Sequence, residues 1–120
     1  MTQQLTQTLI VKESQTAEAL GSGLLPVFST PSLVAFMENT AMKLIELPEG
    51  SSSVGIAINI KHIKASPVGE TVKCTATLIE NEGRRYAFQL VATDSKGEVI
   101  GEGTHERFVI NVEKFMSKVS

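Results

Sequence analysis

Residues 30–50 read TPSLVAFMENTAMKLIELPEG, and this stretch decides the fold. Thr30 suits a helix N-cap, and Pro31 suits the first helical position, where its missing N–H costs nothing. The periodic run continues to about Leu47, where Pro48 and Gly50 stop it. Ser32, Asn39, Lys43 and Glu46 share one face. Val34, Ala41 and Ile45, with Leu33, Phe36, Met37, Met42 and Leu44, occupy most of the rest. A helix apolar over so wide an arc must be covered on several sides.

The flanking sequence predicts what covers it. Residues 5–13, LTQTLIVKE, read as a strand, and residues 14–29, broken by Gly21, Gly23 and Pro26, as a short helix or turn and then a loop. Beyond the helix the period changes to two. Val54, Ile56, Ile58 and Ile60 alternate with Gly55, Ala57, Asn59 and Lys61, which predicts a strand with one strongly apolar face. Ile63 interrupts the alternation and predicts a bulge or strand end near His62. Ser66-Pro67-Val68-Gly69 reads as a turn. Val72, Cys74, Ala76 and Leu78 mark a further strand, followed by a hairpin turn at Glu82-Gly83. Tyr86, Phe88, Leu90 and Ala92 form one face of the next strand, and after a turn at 94–97 the last strand spans 98–111. One long helix with strands joined mainly by tight turns is an α+β arrangement with antiparallel neighbours. The helix is too apolar for one small sheet, which predicts wrapping by the sheet and a homodimer.

The 120 residues predict a single domain, 1–120, with 42% hydrophobic and 20% charged residues. A net charge of −2 gives no electrostatic reason to expect nucleic acid or an anionic membrane as partner. No apolar run approaches the roughly 18 residues of a membrane span. One cysteine, Cys74, excludes an intramolecular disulfide, and with only His62 and His105 a metal site is not expected. The opening MTQQLTQTLIVKESQ lacks a basic and then apolar leader, so the expected location is cytoplasmic.

Glu38 stands out among the candidate chemical residues. At helical spacing it shares a stripe with Val34, Ala41, Met42 and Ile45, on the apolar side. A carboxylate there is either used, with a pKa raised by burial, or reaches water from the stripe's edge. His62 is in phase with Ile56, Ile58 and Ile60, as a structural or a functional residue. His105 reads as a sheet-surface residue and Cys74 as an inert core residue. Thr30 precedes a helix whose free N–H groups suit an oxyanion. Neither GxSxG nor a phosphate-binding glycine loop is present.

The segments VFSTPSLVAFME (27–38), SVGIAINIKHIKASPVGE (53–70), EGRRYAF (82–88) and EGTHERFVINVEKF (102–115), in this order, resemble the hot-dog-fold acyl-CoA thioesterases. The similarity is to the fluoroacetyl-CoA thioesterase-like family in particular, over about residues 27–114. It implies an antiparallel sheet wrapped around one long central helix, a dimer, and hydrolysis of a short or medium acyl-CoA to free acid and CoA. It implies no cofactor, with CoA entering as part of the substrate. By resemblance the catalytic residues are Thr30, Glu38 eight residues later, and His62. Gly55 lines the acyl pocket, and Arg107 of the GTHER segment lies near the site. One departure concerns the segment before the catalytic Thr. The fluoroacetyl-specific member carries a longer, Phe-containing lid there. Here TAEALGSGLLPVFS (16–29) is short, and Phe28 is its only aromatic residue and the one candidate for a substrate contact. A non-catalytic acyl-ligand binding module on the same fold is the alternative function.

Overall fold

The computed structural model describes residues 3–119. Strand β1 (Gln4–Ile10) is followed by a 3-10 turn and a one-turn helix, α1 (Ala17–Leu20). The long helix α2 (Thr30–Met42) comes next. Strands β2 (Ser51–His62), β3 (Thr71–Glu82), β4 (Arg85–Thr93) and β5 (Val99–Asn111) then lead into α3 (Val112–Val119). The five strands form one antiparallel sheet in the order β1-β3-β4-β5-β2. The expected hairpins at Gly83 and Gly97 are present, and both glycines take positive φ. The turn at Ser66–Gly69 makes no hairpin. It carries the chain across the sheet, so that β2 pairs with β5 and becomes an edge.

Helix α2 lies across the sheet and buries Leu33, Met37, Thr40 and Ala41. These meet Val72, Cys74 and Ala76 of β3, Phe88, Leu90 and Ala92 of β4, and Ile100 of β5 in one apolar cluster. Each large side chain fully buried there contributes about 1.5–3 kcal/mol. Gly101 lets the helix approach β5: a Cβ at this position would lie 2.8 Å from Leu33 Cδ2 and 3.2 Å from the Lys61 carbonyl oxygen.

Both helix ends differ from the expectation. Ser29, not Thr30, is the N-cap, its Oγ accepting from Ser32 N at 3.1 Å. Thr30 becomes the first helical residue, and its hydroxyl is free for other work. The helix ends at Met42 rather than near Leu47, because the chain tightens into turns from Leu44 N to Ala41 O and from Ile45 N to Met42 O. Ile45 stays in the core after leaving the helix, so its apolar character is a packing signal and not a helical one.

Strand β2 also departs from the predicted pattern. The strand ends at His62, as Ile63 suggested, but it also carries a bulge between Gly55 and Ala57, with Ile56 as the extra residue, that the alternation did not reveal. Ile56 and Ile58 are 54% and 41% exposed on the free edge, so these apolar side chains of β2 are not covered within the chain.

Strand β5 crosses β2 closely at Gly103, where a Cβ would collide with the backbone carbonyl of Asn59. We expect Gly103→Ala to lose at least the about 1–3 kcal/mol typical of overpacking, read by chemical denaturation. Wild-type stability in that variant would refute the close crossing.

Candidate active site

The bulge in β2 decides which side chains meet. His62, Ile60 and Ile58 face the helix side of the sheet by simple alternation. Gly55, seven residues before His62, would face the opposite side in a regular strand. The extra residue at Ile56 reverses the phase, so Gly55 pairs with Arg107 and Ile58 with His105. All of these positions therefore face α2.

Thr30 and His62 come together directly. Thr30 Oγ1 lies 2.8 Å from His62 Nδ1. The pair borders a cleft of about 270 Å³, whose walls include Val27, Phe28, Pro31 and Lys64. His62 is half-buried, and its Nε2 is shielded from solvent without a hydrogen-bond partner among the described residues. Burial pushes the imidazole below its ordinary pKa, with the backbone of Lys64 opposing. A neutral ring that accepts the Thr30 proton at Nδ1 presents an N–H at Nε2. The helix start offers fewer oxyanion donors than expected. Pro31 has no N–H, and Ser32 N and Leu33 N are both spent on Ser29. This leaves the Thr30 N–H.

Glu38 belongs to a second cluster. It is half-buried, and its carboxylate ends over Gly55. A methyl group on Gly55 would lie 3.0 Å from Glu38 Oε2, 3.2 Å from His105 Cε1 and 3.5 Å from Arg107 Nη1. Only glycine leaves that space open. Arg107, 7% exposed, donates from Nε to Ser53 Oγ at 2.8 Å and from Nη2 to the Ser53 carbonyl at 2.9 Å. Burial lowers its pKa and the nearby Glu38 opposes the shift, while the guanidinium stays charged. The Glu38 carboxylate thus works in a positive field beside an open gap.

Within one chain the structure joins Thr30 to His62, and Glu38 to Gly55 and Arg107, but Glu38 does not line the Thr30–His62 cleft. Phe28 is 1% exposed; it is a core residue as well as part of the cleft wall. Cys74 is buried, which pushes its thiol up to about 11 and keeps it inert, as expected. His105 corrects the sequence reading: it is buried, not a surface residue. The signal was its phase, since it alternates with Gly101, Gly103 and Arg107 on the helix-facing side of β5.

A sheet wrapped on one long helix, with a carboxylate and a Thr–His pair on the wrapped face, is the architecture of a hot-dog thioesterase. The family model for the fluoroacetyl-CoA-specific thioesterase, FlK, matches residues 11–113. The fluoroacetyl-CoA thioesterase of Streptantibioticus cattleyicolor is 44% identical over 95 residues, covering 78% of this chain and 68% of that protein. A solved structure of the fluoroacetyl-CoA thioesterase FlK superposes with a TM-score of 0.92 at 36% identity, covering 97% of this chain and 91% of the other. A hot-dog-like protein from Thermanaerovibrio acidaminovorans superposes with a TM-score of 0.88 at 26% identity, covering 97% and 87%. The chain belongs to the fluoroacetyl-CoA-specific thioesterase family, and it is a thioester hydrolase rather than a non-catalytic binding module.

Both histidines are held below the ordinary value of 6.5, each chiefly by burial. The unfolded chain therefore takes up protons near 6.5, and the folded chain only at lower pH. Stability is full above that value and falls as pH drops below it. Denaturation midpoints at pH 7.5 and 5.5 should show this loss, and replacing both histidines by Gln should flatten it. An unchanged slope in that double variant would contradict the burial of the two rings.

Proposed function

We propose that this protein hydrolyses short or medium acyl-CoA thioesters to the free acid and CoA, with Glu38, Thr30 and His62 as catalytic residues. The observation that carries the reading is the Glu38 carboxylate facing the gap over Gly55 beside the buried Arg107. Glu38 delivers the negative charge that attacks the thioester carbon or takes the proton of the attacking water. The C–S bond breaks, the hydroxyl oxygen of water ends on the acid, and the proton ends on CoA or the solvent. Thr30 holds the His62 ring by its 2.8 Å contact, and His62 acts as acid/base or orients the thioester. The Thr30 N–H stabilises the developing oxyanion. Gly55 gives the acyl group room, Arg107 sets the field around the carboxylate, and Phe28 forms the inner wall beside Thr30. A carboxylate and water suffice for this chemistry, so no cofactor is needed beyond the CoA of the substrate. The related FlK enzyme has been solved as a variant with fluoroacetate and CoA, which supports a CoA ester as substrate. A reducing cytoplasmic location fits the buried, unpaired Cys74.

The working unit is a homodimer. The free edge of β2 exposes Ile56 and Ile58, an apolar strand edge that water covers poorly. Two such edges pair antiparallel about a two-fold axis at Asn59. This register sets Ile60 opposite the partner's Ile58 and, because Ile56 is extra, His62 opposite the partner's Gly55. Every paired residue then keeps its face. The Glu38 of one subunit is thereby brought beside the Thr30–His62 pair of the other, which joins the two half-sites. Light scattering at micromolar concentration should give the dimer mass, and a stable monomer would count against this arrangement.

Release of CoA thiol from an acetyl- to octanoyl-CoA series tests the activity. Glu38→Gln should lower kcat by about 10²–10⁴-fold. Its melting temperature should be held or raised, because a neutral amide costs less to desolvate than a carboxylate. Unchanged turnover in that variant would end the assignment.

A further inference from the structure

His105 is 1% exposed, and both of its ring nitrogens have partners of fixed polarity. Nδ1 lies 2.8 Å from the Ala57 carbonyl oxygen, which only accepts, so Nδ1 carries the hydrogen. Nε2 lies 3.1 Å from Arg107 Nη1, which only donates, so Nε2 is bare. One state satisfies both contacts, the neutral Nδ1–H imidazole. The ring of Phe88 stacks on it, with centroids 6.3 Å apart and 30° between planes.

The two partners matter for the site. Ala57 is the first paired residue after the bulge that turns Gly55 towards the helix. Arg107 has five N–H groups; Ser53 takes two and His105 one. One hydrogen remains on Nη1, the guanidinium nitrogen nearest the gap over Gly55. Ser53 holds the guanidinium to β2 ahead of the bulge, and His105 adds the link to Ala57 just past it.

Resting on the reading of Glu38 as the reacting carboxylate, we propose that His105 is a positioning residue for the thioesterase reaction. It ties the Ala57 carbonyl to Arg107 and thereby fixes the Gly55 gap and the guanidinium relative to Glu38. Protonation would break the device, because Nε2–H would then face an Arg107 N–H. Burial and Arg107 disfavour the charged ring, while the Ala57 carbonyl, Glu38 and Glu106 favour it, with burial the largest influence.

Two half-restoring variants separate positioning from general structure. His105→Gln places an acceptor oxygen where Nε2 stands and keeps the bond from Arg107. His105→Asn keeps a donor to Ala57 but is too short to reach Arg107. Turnover of the best substrate of the acetyl- to octanoyl-CoA series is the readout. We expect H105Q to keep kcat within about threefold of wild type, and H105N to lose about 10–100-fold in kcat with KM unchanged, the scale of a misplaced reacting group. Nitrogen-resolved NMR of the wild-type imidazoles at pH 7 reads the tautomer without any variant at this position. The Nδ1–H form is expected for His105, with His62→Gln used only to assign the two rings. An Nε2–H or doubly protonated ring, or equal kcat in H105Q and H105N, overturns the proposal alone. A wild-type protein that releases no CoA overturns the reading of Glu38 and this proposal together.

Discussion

The single extra residue in β2 is the constraint on which the site depends. Gly55 and His62 are an odd number of residues apart, and a regular strand would place them on opposite faces of the sheet. The bulge at Ile56 puts both under α2. Everything nearby is then consistent with the shift. Gly55 leaves the space that Glu38 Oε2, His105 and Arg107 surround, and His62 reaches the Thr30 hydroxyl at the start of the same helix. Bulges commonly re-aim side chains beside active sites, and this one does so on an edge strand still free to pair.

The helix supplies the other half of the geometry. Its buried stripe of Leu33, Met37, Thr40 and Ala41 anchors it to β3, β4 and β5. Glu38 lies beside that stripe rather than on it, and so is half-buried. From this position its carboxylate reaches the space over Gly55 beside His105 and Arg107. The N-terminal end is set by Ser29, whose side chain and carbonyl take the first N–H groups. Because Ser29 does the capping, Thr30 is released to hold His62.

Much of this was legible in the sequence, and the failures have physical reasons. Pro31 marked the start of the helix, and the period-two runs marked the strands. The helix end was misread because Leu44, Ile45 and Leu47 remain apolar and packed after the helical bonds stop. Ile63 marked the strand end near His62, but the bulge at Ile56 was not legible, because Val54, Ile56, Ile58 and Ile60 alternate without a flaw and an inserted apolar residue leaves no trace in such a run. The choice of N-cap failed because Ser29 and Thr30 are adjacent and both are good caps. His105 was missed because the GTHER segment is polar and looks solvated, whereas the glycines on its own face, Gly101 and Gly103, mark the side that packs. Thr30, Glu38 and His62 were legible as separate residues. Their division between two clusters of one chain is a tertiary fact set by the strand order, which places β2 at the edge.

The central claim is that two half-sites, Thr30–His62 and Glu38–Gly55–Arg107, meet across paired β2 edges. Mixing subunits tests it most directly. Glu38→Gln and His62→Ala homodimers should each be nearly inactive, since each damages both sites. Dissociating and reassociating a mixture forms heterodimers in which one site combines the intact His62 half of one subunit with the intact Glu38 half of the other. The account predicts that CoA release rises well above that of either parent in proportion to the heterodimer formed. Heterodimers verified by mass that show no recovery would contradict it.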